Sequence, residues 1–538
     1  MTSTFKKLVL VIGVLCTLYV DAGKDEFATC AASFVQRAAV RRKGFAEQED
    51  EEETSLFAID LDNATQNLMV ADQVATTHPW THKCVDGEKK AYVDGTKGND
   101  KITYDGSEGK PFKTISHAVK TFQGTCTTIY IKAGTYYNKN YKGDPLKNKN
   151  NKNKVVNLDG VTDLIIRNYG GQDGTGVGGD RVLIKFDGPG GLVGGSVSKP
   201  VRDIEIYGLE IEGPNQDITY GQAIANRLGG SKYYSGRGIA IWKGERIHLH
   251  HMLVHDTPAA GMRVDNSDYV VIEDSEVYRT TWWANSAESA VVIGQSKHVD
   301  EKKGIKMILR NNKVYSNMNR IPYYNKKYAW DYSPIGSFVC GDYDSCKVEN
   351  NKGCDGECQC PWQCRYGKIS QDYVIDGQGV YVTRNSATYL HGQMELSGNE
   401  CFRNGINGLV FHRTDRGVVK NNIVYDNGVV PKDGHDQDAK SSTPWMAALK
   451  KTRQPYSGLV LNNAAGVRMW GNNVRAKYDD DYAFTMEIDK GKSYNLQNGG
   501  NNKVCRGKTG NMLKDYVSTA NSNACAKWFP NETKTPGN

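Results

Sequence analysis

Gly238-Ile-Ala-Ile-Trp242, then Ile247-His-Leu249, then Val254: this stretch is followed at once by Gly261-Met-Arg-Val-Asp265, Val270-Val-Ile272 and Val277, the same pattern in different residues. It returns at Gly408 (Leu409, Phe411, Gly417, Val419, Val424) and at Gly458 (Leu459, Leu461, Val467, Met469, Val474). In these copies the core positions lie one, three, nine, eleven and sixteen residues after the glycine. Two further copies carry extra residues in the first turn: Ala290 (Val291, Ile293, Met307, Leu309, Val314) and Gly379 (Val380, Val382, Met394, Leu396, Cys401). The step from Val254 to Val277, and from Cys401 to Val424, is 23 residues. That is too long for one hairpin arm and fits one coil of three short strands. Alternation within each strand sends one set of side chains to the core and the other to solvent.

The bulk composition agrees with a stacked-strand solenoid. The chain has 538 residues, 57 of them Gly and 30 Tyr, with 38% hydrophobic residues. Short strands joined by Gly/Asn turns have this composition, and helix-rich domains do not. Asn312, Asn399, Asn422 and Asn472 recur at one turn, where left-handed backbone and stacked side-chain amides are expected.

The N-terminus reads as a signal peptide over residues 1–22: Lys6 and Lys7, an apolar run from Leu8 to Tyr19, and the small-residue site Val20-Asp21-Ala22. The run is too short to span a bilayer, so no membrane association is expected. Residues 23–78 read as a disordered acidic leader, with a basic processing site at Arg41-Arg42-Lys43 and an acidic run from Glu47 to Glu53. Of 13 Cys, Cys16 leaves with the signal, and an even set of 12 suits an oxidising compartment. Cys84 with Cys126, and Cys505 with Cys525, read as local pairs. Six Cys between Cys340 and Cys364 lack the paired CxxC spacing of a zinc site and read as a disulfide-stapled loop within an insertion at 315–376. Asn63 and Asn531 head glycosylation sequons.

Residues 1–80 hold 7 Lys/Arg against 12 Asp/Glu, which leaves +12 on residues 81–538. A basic secreted body favours a polyanion as partner. The charge is diffuse, and the Lys147–Lys154 run is a solvated loop rather than a nucleic-acid motif. A monomer binding an anionic polysaccharide, with no nucleic-acid partner, is expected.

Ahead of the repeats stand Tyr92-Val-Asp-Gly-Thr96, Pro111-Phe-Lys-Thr-Ile115, Thr128-Ile-Tyr-Ile131 and Gly134-Thr-Tyr-Tyr137, with Thr114 placed to cap a short helix through Phe122. This opening, with the repeats behind it, resembles the pectate-lyase-like superfamily of secreted polysaccharide lyases, epimerases and hydrolases. The resemblance implies an all-β, right-handed parallel β-helix over 79–480 with an N-terminal capping helix, and a cap or tail over 481–538. It specifies fold far better than chemistry, because one such fold hosts many reactions.

The register turns the repeats into a map. Residues two and four after each glycine face outward: Ala240 and Trp242, Arg263 and Asp265, Val292 and Gly294, Tyr381 and Thr383, Val410 and His412, Val460 and Asn462. The solvated side of any solenoid is polar, so the column is a candidate site only through its residue types. His412 is the candidate base and Arg413, beside it, a candidate substrate-binding residue; Arg263 and Asp265 are candidate catalytic residues, Arg263 placed for a uronate carboxylate or simply for Asp265, and Asp265 able to pair with Glu288 or Asp376 in a hydrolase. Trp242, Tyr381 and the adjacent Trp282 and Trp283 are candidate sugar platforms, though the last two are equally suited to cap a coil. Glu288 and Asp376 are candidate Ca²⁺ ligands or an acid pair, with turn chemistry the alternative for Asp376. His248 and His250 share an outward strand face, as a transition-metal pair or an inert one. A lyase or C5-epimerase is expected first, with a carboxylate-pair glycoside hydrolase or a non-catalytic matrix protein as the alternatives.

Overall fold

A computed structural model describes residues 79–142, 153–170, 181–219, 236–284, 288–320, 377–428, 456–476, 482–487, 497–509 and 517–520, with Ala223, Cys525 and Phe529. The signal, the leader, both sequons, Asp376 and the Cys-rich segment lie outside the described residues. What is described is a parallel β-helix. Each coil contributes one strand to each of three sheets, which hold 10, 11 and 11 strands among the described residues. One coil runs through Met262–Asp265, Asp268–Glu273 and Glu276–Tyr278, in the first, second and third sheets respectively. Every pairing between successive coils is parallel, as from Arg237–Trp242 to Met262–Asp265 in the first sheet.

The repeat glycines mark where the coil is narrowest. A Cβ on Gly238, Gly261, Gly408 or Gly458 would fall 2.4, 2.5, 2.3 or 2.8 Å from the Cγ1 of the valine sixteen residues on. The valines themselves stack in register: Val254 on Val277, Val277 on Val314, Val314 on Cys401, Cys401 on Val424 and Val424 on Val474. All six are fully buried in one continuous core. Gly417, which stands where other coils place Ile, Val or Met, leaves its space to Phe411, whose ring edge lies 2.3 Å from where a Cβ would be.

The helix Ile115–Phe122 buries Ile115, Ala118 and Val119 over the open end of the first coil, and Thr114 Oγ1 accepts from the His117 amide. A terminal coil needs such a cover because no further coil buries its apolar face. At the other end the coils run past residue 480. Tyr482–Glu487, Gln497–Gly500, Lys503–Arg506 and Ser518–Thr519 extend the three sheets, so strands of the solenoid occur among the described residues beyond 480. Disulfides join Cys84 to Cys126 and Cys505 to Cys525. No helix among the described residues is long and apolar enough to cross a membrane.

The asparagine turn is a hydrogen-bonded ladder. Each side-chain amide donates to the carbonyl oxygen of the next, from Asn312 to Asn399, Asn422, Asn472 and Asn502, at 2.8–3.0 Å. Each also donates to a backbone carbonyl of the preceding coil. The left-handed residue is not the ladder asparagine but the one before it: Asn311, Gly398, Asn421, Gly471 and Asn501 all have φ of 55–64°. A second ladder, Asn317 to Asn404 to Asn427, was not foreseen. Asn422→Ala takes the shared acceptor from the backbone amide of Asn399 and from one N–H of its side chain, and a donor from the carbonyl of Leu396, in a dry interior, and is expected to cost about 2–4 kcal/mol. A lowered urea midpoint followed by circular dichroism checks this.

Outside the third sheet, His255, Tyr278, Tyr315, Phe402 and Tyr425 form a stack with centroids 4.8–5.1 Å apart. At its head the His255 ring bridges Asp256 (2.7 Å) and Glu210 (2.9 Å). Burial opposes the charged imidazole, but the hydrogen bonds to these two carboxylates outweigh it and raise the His255 pKa. Burial likewise opposes the charged Glu210, and His255 and Arg181 outweigh it, holding Glu210 at about 2. The imidazolium therefore stabilises the fold fully below about pH 6.5, a contribution lost as pH rises through the raised value. The Glu210 contribution is complete above about pH 4.5 and lost as pH falls towards 2. His255→Gln should thus lower the melting temperature most between about pH 4.5 and 6.5, and progressively less on either side.

Candidate functional site

The first sheet carries the expected outward column in full register. Ala240 pairs with Arg263, then Val292, Tyr381, Val410 and Val460, while Trp242 pairs with Asp265, Gly294, Thr383, His412 and Asn462. Val292, Val410 and Val460 are buried, so the open part of the face narrows to Trp242, half-buried Arg263, Tyr381, His412 and Asn462. Trp242 is the exposed aromatic, at 52%.

At the end near Trp242, four charges neutralise one another. Arg263 Nε donates to Asp265 Oδ2 at 2.5 Å, and Nη1 donates to Glu288 Oε2 at 3.1 Å. Arg237 holds the other oxygen of Glu288. Burial pushes the Glu288 carboxyl up, but Arg237 and Arg263 outweigh it and hold it below the usual range. Burial disfavours the charged Arg263, and Glu288 and Asp265 more than offset that, so its pKa is raised. Gly294 makes room for this arrangement, since a Cβ there would lie 2.5 Å from Asp265 Oδ1.

Three expectations are corrected by this packing. Arg263 is not open to a substrate carboxylate, because two carboxylates already hold it and the set carries no net charge. Glu288 does not fit a calcium site: Ca²⁺ needs several oxygens with uncompensated charge, and this carboxylate is 3% exposed between two guanidiniums. Trp282 and Trp283 are not a sugar platform, at 5% and 1% exposure. Arg320 lies 3.4 Å from the Trp282 ring centre, and Trp283 Nε1 donates to the Asn215 carbonyl at 3.2 Å. Both are buried structural side chains.

Two coils beyond Arg263 the face changes character. His412 Nδ1 lies 2.7 Å from the Tyr381 hydroxyl and 2.9 Å from Thr383 Oγ1, with the two rings stacked at 5.8 Å and 21°. Tyr381 and His412 come from adjacent coils, and Tyr381 pairs in register with Val410, two residues before His412, so the contact is diagonal across the ladder. Arg413 is exposed and left-handed (φ 46°), its amide bonded to the Asn462 carbonyl. Thr383 was visible as an outward residue but not assigned a role; that it faces the same imidazole nitrogen as Tyr381 is a tertiary fact. Arg237, directly before a repeat glycine, carried no signal.

Fold and face together define a parallel β-helix protein with a polar outward column on one sheet, ionically closed at one end and bearing a Tyr–His pair further on. Residues 96–322 match a family described as "Protein of unknown function (DUF1565)", a stretch that holds Arg263, Asp265 and Glu288 but stops short of Tyr381 and His412. No curated protein matches the chain. Among solved structures it is similar to a pectate lyase, at 12% identity and a TM-score of 0.35 over 81% of this chain and 78% of that one. The A-module of a mannuronan C-5 epimerase from Azotobacter vinelandii is 14% identical, at a TM-score of 0.38 over 75% and 82%. A glycoside hydrolase is 6% identical, at 0.39 over 80% and 99%.

Proposed function

We propose that this is a secreted enzyme that removes the proton α to a uronate carboxylate in an anionic polysaccharide, as a lyase or a C5-epimerase, with Tyr381 and His412 as the reacting pair. The observation that carries this reading is the 2.7 Å contact between the Tyr381 hydroxyl and His412 Nδ1 on an outward, half-open strand face. In the tautomer with its proton on Nδ1, His412 donates to the phenol, and Nε2 is a base. Nε2 takes the C5 proton, the Tyr381 hydroxyl protonates the departing glycosidic oxygen as its bond to C4 breaks, and the Nδ1 proton restores the phenol. If the bond to C4 holds and the proton returns to the other face of C5, the same pair epimerises. The basic body of the chain, +12 over residues 81–538, favours a polyanion at this face.

A carboxylate-pair hydrolase is less well supported. Such an enzyme needs one carboxylic acid protonated near neutral pH. On this face Glu288 is held below its usual range, and Asp265 is bonded to Arg263.

The test is incubation of the full chain, in heavy water, with polymers of galacturonate, of mannuronate and guluronate, and of glucuronate. Rising ultraviolet absorbance from a new C4=C5 double bond, or deuterium at C5 of an uncut polymer, is the expected result. Saturated reducing ends, or a polymer left intact and unlabelled, would overturn the proposal.

A further inference from the structure

A second cluster lies outside the second sheet, away from the Tyr–His pair. Glu205 and His248 stand on neighbouring strands, Val201–Tyr207 and Gly244–His250, and pair in register. His82 reaches them from the segment that precedes the first strand. That segment is pinned to the sheet by the Cys84–Cys126 disulfide, by Lys83 on Asp163 at 2.8 Å, and by Tyr207, which donates to Asp86 at 2.8 Å. His82 Nδ1 lies 3.6 Å from Glu205 Oε2, and His248 Nδ1 lies 3.9 Å from Glu205 Oε1. One donor atom from each of the three residues can be chosen so that all lie within 4.8 Å of one another.

We infer that His82, Glu205 and His248 bind a divalent transition-metal ion of the zinc type. Two geometric observations converge on it. Bonds of about 2.0–2.1 Å to a tetrahedral ion place ligand atoms about 3.3–3.4 Å apart, and the three donors, all within 4.8 Å of one another, need draw together by no more than about 1.4 Å to hold one. The opposite nitrogen of His248, Nε2, lies 2.7 Å from Glu273, whose carboxylate is in turn held by Arg310. A carboxylate on the far ring nitrogen fixes the tautomer that turns Nδ1 to a metal and raises its basicity, the arrangement that accompanies most ligating histidines.

The mixed N/N/O donor set suits an imidazole-seeking ion rather than Ca²⁺, which takes six to eight oxygens. Glu205 Oε1 also lies 3.0 Å from His250 Nε2, which keeps that carboxylate in place while Oε2 faces His82. Three protein ligands leave the fourth position to water. The strand spacing alone pairs His248 with His250, but the structure pairs His248 with His82, 166 positions earlier, and gives His250 the supporting role.

The experiment uses the full secreted chain, stripped with a chelator and titrated with Zn²⁺ and, separately, Co²⁺. One equivalent is expected, with the intense visible bands of tetrahedral Co²⁺ and no near-ultraviolet thiolate band. His82→Ala, at a half-exposed position that bears little packing, should weaken Zn²⁺ binding by about 100-fold. Glu273→Gln should weaken it by about 10-fold or more. His255→Ala, in the separate Glu210–Glu212–His255 group of the third sheet, should leave it unchanged. Failure of the wild type to bind, binding undiminished in His82→Ala, loss of binding in His255→Ala, or a thiolate band would each overturn the proposal.

Discussion

His412→Ala is expected to lower turnover of a uronate polymer by about two to four orders of magnitude while leaving the far-ultraviolet spectrum and melting temperature nearly unchanged. The rate loss follows from removing the base of the proton transfer. Thr383 and Asn462, its partners along the ladder, are neutral at any accessible pH. The small stability effect follows from position. His412 is half-exposed on the outward side of the strand Leu409–His412, whose core residues Leu409 and Phe411 are untouched. Tyr381→Phe separates the roles within the pair, because it keeps the stacked ring and removes only the hydroxyl 2.7 Å from Nδ1. If the phenol protonates the leaving oxygen, this variant loses elimination yet still exchanges the C5 proton with solvent. Measuring both rates on one polymer separates the steps, and full activity in His412→Ala would remove the histidine from the chemistry.

Arg263→Ala should be the most destabilising change on the same face, by about 3 kcal/mol at neutral pH. The cost is not the worth of an ion pair but the penalty of leaving Glu288 buried, at 3% exposure, with only Arg237 to compensate it. Asp265 loses its partner as well. The pH dependence identifies the cause. In the wild type the lowered pKa of Glu288 contributes stability above the ordinary glutamate value of about 4.3, and loses it as pH falls. Without Arg263 the carboxyl rises, and only once the pH has fallen through the lowered wild-type value do both proteins hold it protonated. The two melting temperatures should therefore lie furthest apart near pH 7 and converge in acid. A gap that stays constant with pH would mean lost packing rather than an uncompensated charge. Arg263→Met with Glu288→Met should recover much of the loss, since an apolar pair of similar volume removes the charge altogether.

The repeat was legible because each coil obeys local rules that survive without an alignment. Alternation assigns inward and outward sides, and the fixed offset between Gly238 and Val254 recurs because a larger residue would meet the valine within its own coil. Register then carries any outward residue to its neighbours, which is why the column from Trp242 to Asn462 could be read correctly residue by residue. What the column could not disclose is how its charges pair. Arg263 looked available because Glu288, outside the strand pattern, reaches it from a loop. Trp282 and Trp283 looked exposed because adjacent tryptophans in a turn carry no sign of what covers them, here Arg320 and the Asn215 carbonyl. The left-handed residue was assigned one position late, since either of two neighbouring turn residues satisfies the same spacing.

By itself, then, the sequence determined the three-strand coil, the stacked valine column, the asparagine ladder and the outward set that holds Tyr381 and His412. All of these follow from periodicity, and a period translates directly into neighbours one coil away. Tertiary structure alone decided that Arg263 is neutralised, that Thr383 and Tyr381 meet at one imidazole nitrogen, and that His82 lies against Glu205 and His248. The first and last of these join a loop or an N-terminal segment to distant strands, and the second runs between the side chains of adjacent strands. Electrostatic pairing acts over a few ångströms in space and leaves no period in the chain.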